Sequence, residues 1–237
     1  MRKILCGIVI LAVAALAVFL FLDFNVLVVK NVVVETDGQA DEQTIIRSSG
    51  IQMGGKMRKL DTERLRREIE RSGEWKCVSI EKDWPSTVVM TVVKRECAAF
   101  TEVNGNIALL DREGNVISVG QSVPEGTFLY VTGLSPRDAI PGMQLGSETV
   151  RLQAMTAVYD ALAAQNAMEY VSELNVENRN SLYLYSRTGV LVSLGDSENM
   201  EAKIVWMKYA LADLESRGET AGRLDVSSGT QADYRTD

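Results

Sequence analysis

The sequence predicts an α+β protein with three parts: an N-terminal transmembrane helix, a small domain of order β-α-α-β-β, and a mixed β-sheet domain with two long helices. Three observations carry this. Ile4 to Leu22 is an apolar run without a charge. Valine-rich strands and capped helical segments fill the chain to residue 96. Beyond it, short apolar runs separated by turn signals are interrupted by two long stretches of helical period.

The apolar run, at about 1.5 Å per residue, approaches the roughly 30 Å hydrocarbon core of a bilayer. Arg2 and Lys3 precede it and Asp23 follows it, which places the N-terminus in the cytoplasm. Ala12-Val13-Ala14 and Ala15-Leu16-Ala17 also fit a cleaved signal peptide. Cleavage at either would leave Val18-Phe19-Leu20-Phe21-Leu22 at or just inside the new N-terminus, so an uncleaved single-pass anchor is preferred. Cys6 follows Lys3 too closely to resemble a lipoprotein cysteine. The organisation expected is an anchor over 1–25, a small domain over 26–96, a β domain over 97–228 and a disordered polar tail over 229–237.

Composition excludes several functions. The net charge of -7 argues against sequence-independent nucleic-acid binding, which needs a basic surface. The chain has no histidine, which removes Ser-His-Asp and Cys-His catalysis and every His-ligated metal site. Cys6, Cys77 and Cys97 form no C-x-x-C. Cys77 and Cys97, near opposite ends of a hairpin, could pair, but buried free thiols are the simpler expectation.

In the small domain, Leu27–Glu35 reads as a strand. Asp41 caps a helix over Glu42–Ser48, and Asp61 caps another over Thr62–Arg71, with Leu65 and Ile69 on one face. Trp75 to Glu96 reads as a β-hairpin: Val78 and Ile80 alternate with Ser79 and Glu81, Trp84-Pro85-Ser86 supplies the break, and Val88, Met90 and Val92 form one alternate set. Gly50 to Met57 approaches G-x-x-x-x-G-K-[ST]. Met57 lacks the hydroxyl that would bind Mg²⁺, and no clear helix start follows, so the segment reads as a glycine turn between helices.

Ser49-Gly50-Ile51, Gly54 or Gly55, Leu60-Asp61, Trp75, Trp84-Pro85 and Val93-Lys94-Arg95 together resemble the POTRA domain of the FtsQ/DivIB family of bacterial cell-division proteins. The family usually has Glu-Arg where Lys94-Arg95 stands and often Pro where Cys97 stands. An anchor before the domain fits the same family.

In the last part, Ala98–Glu102 and Ile107–Leu110 flank Asn104-Gly105-Asn106, a hairpin signal. Val116–Val119 and Phe128–Val131 are further strands. Ser147 caps a helix to about Gln165, with Val150, Met155, Val158 and Leu162 as its apolar stripe. A meander follows over Val171–Val176, Ser181–Tyr185 and Val190–Leu194. Ser197 caps a helix to about Ser216, and Arg223–Ser227 is the last strand. Met155, Tyr159, Met200, Met207 and Tyr209 read as core fillers. Leu110-Asp111, Gly114 and Val116, Thr132-Gly133, Gly189 to Gly195 followed by Lys203, and Gly222 to Val226 resemble the family's β domain in order.

Asp111 and Glu113 could serve as a catalytic carboxylate pair, but they sit in a glycine-containing turn where Asp bonds its own backbone. The resemblance implies a non-enzymatic divisome scaffold without cofactor or small-molecule substrate. It would hold small bitopic coiled-coil division proteins of the FtsL and FtsB/DivIC type on the outer face of the plasma membrane, at the septum. The alternatives are a POTRA-type assembly or secretion module, which would usually continue into a membrane β-barrel, and a carboxylate-based extracytoplasmic hydrolase. As the last strand, Arg223, Leu224, Asp225, Val226 and Ser227 are a candidate sheet edge for a docking partner. The family's docking of its small coiled-coil partner at a similar C-terminal strand supports that choice. An ordinary closing strand with Leu224 and Val226 in the core weighs evenly against it on physics alone.

Overall fold

The computed structural model describes residues 10–17, 19, 21, 26–38, 41–146 and 149–236. The chain divides into two compact units, Met1–Lys94 and Arg95–Asp237. Residues 10–17 are helical. Residues 4–9, 18, 20 and 22 of the apolar run lie outside the described residues, and among the described residues no helix is long and apolar enough to cross a membrane.

The first unit runs β1 (Asn31–Thr36), α1 (Glu42–Ser49), α2 (Thr62–Glu70), β2 (Trp75–Asp83) and β3 (Thr87–Lys94). Its sheet has the order β1-β3-β2, with β1 parallel and β2 antiparallel to β3. Both helices begin where the sequence places them, because an aspartate accepts an otherwise orphaned N–H: Thr44 to Asp41 Oδ2 at 3.1 Å and Arg64 to Asp61 Oδ1 at 3.0 Å. Ile45, Leu65 and Ile69 pack on Val88, Met90 and Val92 in one core.

Two details differ from expectation. The strand begins at Asn31, not Leu27, because residues 27–30 lie along the glycine loop: Val29 donates to Gly55 O and Gly54 donates to Val29 O, both at 2.8 Å. In β2 the pairing register shifts between Cys77 and Ser79. The bulge turns Val78 outward, 52% exposed, and puts Cys77 in the core at 1%. Cys77 and Cys97 are both free thiols. Burial pushes the Cys97 thiol up to about 11, so it stays protonated at neutral pH.

The second unit contains β4 (Ala99–Val103), β5 (Asn106–Leu110), β6 (Val116–Gly120), β7 (Leu129–Thr132), α3 (Thr149–Ala164), β8 (Val171–Asn175), β9 (Leu182–Ser186), β10 (Leu191–Gly195), α4 (Met200–Ser216), β11 (Arg223–Asp225) and β12 (Asp233–Arg235). The strands form one nine-stranded sheet of order β12-β11-β10-β9-β8-β7-β4-β5-β6. Hairpin neighbours are antiparallel, while β7 lies parallel to both β4 and β8, and β10 lies parallel to β11. Alternate residues such as Leu174, Leu184, Val192 and Leu224 share a core with Leu162 of α3 and Met207 of α4. The opposite strand faces carry Tyr183, Tyr185, Ser193 and Asp225, which are half-buried or exposed.

The long helices depart from expectation in their details. Ser147 lies outside the described residues. Val150 is 40% exposed, and Leu152, at 2%, faces inward in its place. Met155, Met200 and Met207 are buried, Tyr159 is half-buried, and Tyr209 is 71% exposed, so Tyr209 is not a core filler. Asn199, not Ser197, holds the N-cap of α4, in a left-handed conformation without a side-chain cap bond. The reason lies in Lys203. Its buried ammonium donates to Asp196 O at 2.9 Å and Asp196 Oδ1 at 2.8 Å, which fixes the loop ahead of the helix.

Residues 229–237 were expected to be disordered, yet β12 pairs antiparallel with β11 within that stretch. A turn closed by Gly229 N–H to Val226 O at 3.0 Å starts the return, and Tyr234 packs against the core as its hydroxyl donates to Ala221 O.

Gly133 has φ +79, and a Cβ there would stand 2.4 Å from the Glu177 backbone nitrogen. Gly133→Ala should therefore destabilise the second unit by at least about 2 kcal/mol, from left-handed strain and a backbone clash that no rotamer relieves. Chemical denaturation would check this; an unchanged midpoint would show that the β7 and β8 ends can separate freely.

Candidate functional site

The carboxylates Asp111 and Glu113 stand in different surroundings. Asp111 is 6% exposed and ion-paired with the buried Arg95 guanidinium. Its Oδ1 accepts the Glu113 and Asn115 amides, both at 2.9 Å, and the Asn115 side chain bonds both carboxylate oxygens. Both oxygens are thus engaged, by Arg95 and by the β5–β6 turn, while Glu113 lies on the surface beside Arg112 at 4.0 Å. Among the described residues there is no cluster of acidic and cysteine side chains that could hold a metal.

The C-terminal strands form the other candidate, with one correction. β11 is not the sheet edge: β10 flanks it on one side and β12 on the other. Of the five residues proposed for docking, Leu224 and Val226 are in the core at 1% and 0%, whereas Arg223, Asp225 and Ser227 are exposed. The closing-strand alternative thus describes the backbone of β11, and the edge position belongs to β12.

The bonding parity defines that edge. Leu191 donates to Gly222 O and Val226 donates to Ser193 O, each at 3.0 Å, so Gly222, Leu224 and Val226 turn their backbone groups to β10. Arg223 and Asp225 then face β12, where they stand opposite Arg235 and Asp233. Backbone direction alternates along a strand, so Tyr234 between them turns its N–H and C=O toward the outer edge. Beside this edge, Tyr183, Ser193, Arg223, Asp225, Asp233 and Arg235 line a cavity of about 340 Å³.

Charges there are close and of both signs. Hydrogen bonds from Ser227, through its side chain and its amide (2.9 Å to Oδ1), hold the Asp225 carboxyl below the usual carboxylate range, and Arg235 assists. Its folded pKa is depressed, so its contribution to stability is present at neutral pH and is lost only as pH falls through that lowered value. The arrangement sets the end strand of the sheet beside charges of both signs. The sequence signals for β12 are weak: the Ser227-Ser228-Gly229 turn and the aromatic Tyr234.

Comparison with known proteins agrees with this architecture. The family model "POTRA domain, FtsQ-type" matches residues 27–95, and "Cell division protein FtsQ/DivIB, C-terminal" matches residues 99–227. A protein described as cell division protein FtsQ from Corynebacterium glutamicum is 27% identical over 210 residues, covering 88% of this chain and 89% of the relative. Another of the same description from Anaeromyxobacter sp. is 25% identical over 214 residues, 89% of this chain and 71% of the relative. The major extracytoplasmic domain of the trans isomer of DivIB from Geobacillus stearothermophilus overlays with a TM-score of 0.34 at 15% identity, over 52% of this chain and 95% of that one. The two family matches in sequence, one for each unit and the second alone spanning more than half of the chain, establish that the protein belongs to the FtsQ/DivIB family of cell-division proteins.

Proposed function

We propose that this protein is a non-enzymatic division scaffold, held by a single membrane anchor, with the chain from residue 26 onward outside the membrane. The observation that carries the reading is the edge strand β12, beside a charged cavity, at one end of an otherwise continuous nine-stranded sheet. Such an edge suits a partner that adds one strand, gaining affinity from main-chain bonds and specificity from side chains. The partners would be small bitopic coiled-coil division proteins of the FtsL and FtsB/DivIC type, meeting the scaffold at the septum. The anchor is supported by the charge-free run Ile4 to Leu22 behind Arg2-Lys3. Engagement of both Asp111 oxygens in the β5–β6 turn counts against a hydrolase.

One experiment tests both halves. Protease added to wall-stripped cells carrying an N-terminally tagged chain should digest residues from 26 onward and spare the tag. The tag should bring down small coiled-coil membrane proteins from untreated cells and not from treated ones. Protection of the bulk of the chain until the membrane is broken would overturn the topology. Absence of partners from the untreated extract would overturn the scaffold.

A further inference from the structure

The glycine segment that nearly matches a phosphate-binding loop encloses a cavity of about 210 Å³ at the start of α2, walled by Gly50, Gln52, Gly55, Lys56, Lys59 and Arg64. Lys59 and Arg64 are exposed at its mouth. A further cation approaches its wall, where Lys82 Nζ donates to Leu60 O at 2.8 Å. Asp61 also contributes to the wall, but its Oδ1 accepts the Arg64 amide at 3.0 Å in capping α2. The volume is below the roughly 300–1,000 Å³ of drug-sized sites, which suits a compact charged group. A nucleotide site is disfavoured, because Met57 replaces the metal-binding hydroxyl and a short 3₁₀ turn, Met57–Lys59, follows Lys56 in place of a long helix.

A second observation says where the anion would come from. The Arg58 guanidinium lies over the Phe19 ring, 5.9 Å from its centroid. Phe19 belongs to the apolar run and Arg58 is the neighbour of Lys59 in sequence, so the loop that walls the cavity meets the run through Arg58. We propose that this cavity binds the phosphodiester headgroup of an anionic phospholipid in the adjoining leaflet, with Lys56, Lys59 and Arg64 as its cationic wall. This goes beyond the scaffold reading and uses the anchor only to place the lipid. A short-chain lipid reaches the cavity from solution, so the two ideas fail separately.

The test is equilibrium binding to the purified full chain in neutral detergent at low salt. The probes are dihexanoyl phosphatidylglycerol, dihexanoyl phosphatidylcholine and glycerol 3-phosphate. The anionic lipid should bind at least tenfold tighter than the zwitterionic one. K59Q/R64Q should weaken it by about 25-fold, at about fivefold per cation removed. K59R/R64K, which keeps both charges, should bind like the parent, as should R71Q, whose exposed arginine lies at the far end of α2. Both cavity positions are exposed, so the thermal midpoint should not move. Equal binding of the two lipids, or K59Q/R64Q binding like the parent, would overturn the site, as would lost binding in K59R/R64K. Glycerol 3-phosphate bound as tightly as the anionic lipid would overturn the lipid as its ligand.

Discussion

Replacing Asp111 by Asn should lower the stability of the second unit by about 3–5 kcal/mol. The substitution preserves shape and removes the charge. Arg95, whose side chain is 4% exposed, then loses the carboxylate charge that faces it in the parent. With its oxygen kept on the Glu113 and Asn115 amides, the new side chain turns an N–H₂ toward the Arg95 and Asn115 side-chain donors that Oδ2 accepts in the parent. The thermal midpoint of this unit should fall by on the order of 10 °C. Glu113→Gln, at the surface of the same turn, should change stability by no more than about 0.5 kcal/mol. Differential scanning calorimetry of the two variants distinguishes a structural carboxylate from a catalytic one. A catalytic Asp111 would lose function at an unchanged midpoint, and that result would reopen the hydrolase reading.

Tyr234→Pro should reduce capture of the strand-donating partner by at least about tenfold, while Tyr234→Ala should retain most of it. Proline removes the N–H that points outward and leaves the Asp233 and Arg235 backbone groups directed at β11. An acceptor on the incoming strand then stays unsatisfied, at a cost of about 1–3 kcal/mol, and the ring obstructs close approach. Alanine removes the phenol and its bond to Ala221 O but keeps the backbone donor. Both variants should lose some thermal stability, because Tyr234 packs against the core. The difference between them therefore reports the lost N–H and the proline ring, not the phenol. Equal capture by the two would rule out strand addition at β12.

Where local chemistry fixes an element, the sequence displayed it. Asp41 and Asp61 cap the helices that they announce, and the Asn104-Gly105 turn joins β4 to β5. The α+β class, the helices on either side of the β8–β10 meander and the buried set Val88, Met90, Val92 follow from period alone. What stayed hidden depends on partners distant in sequence. Val78 faces outward because of a bulge against β3, and strand period cannot show a bulge. Tyr209 looks like any helical aromatic until α4 is docked with Met207 inward. The end of the sheet was legible to within one strand. Leu224 and Val226 mark β11 clearly, whereas β12 is three residues long, with charges at both ends and a single aromatic between them. Such a strand has no apolar pattern of its own; its place comes from pairing with β11.

The position of β7 has a consequence for how the second unit melts. β4, β5 and β6 form one antiparallel meander, and β8, β9 and β10 form another. Each is built from neighbours in sequence and can form early, since short loops close at low entropic cost. Among the described residues, the four residues Leu129–Thr132 bridge them within the sheet, through parallel contacts that wait for α3 and the connection from β6 to close. Leu129 and Val131, at 1% and 0% exposure, thus couple two locally folded blocks into one cooperative transition. Loosening that strand would separate them into two melting steps, with β11 and β12 travelling with the β8–β10 block.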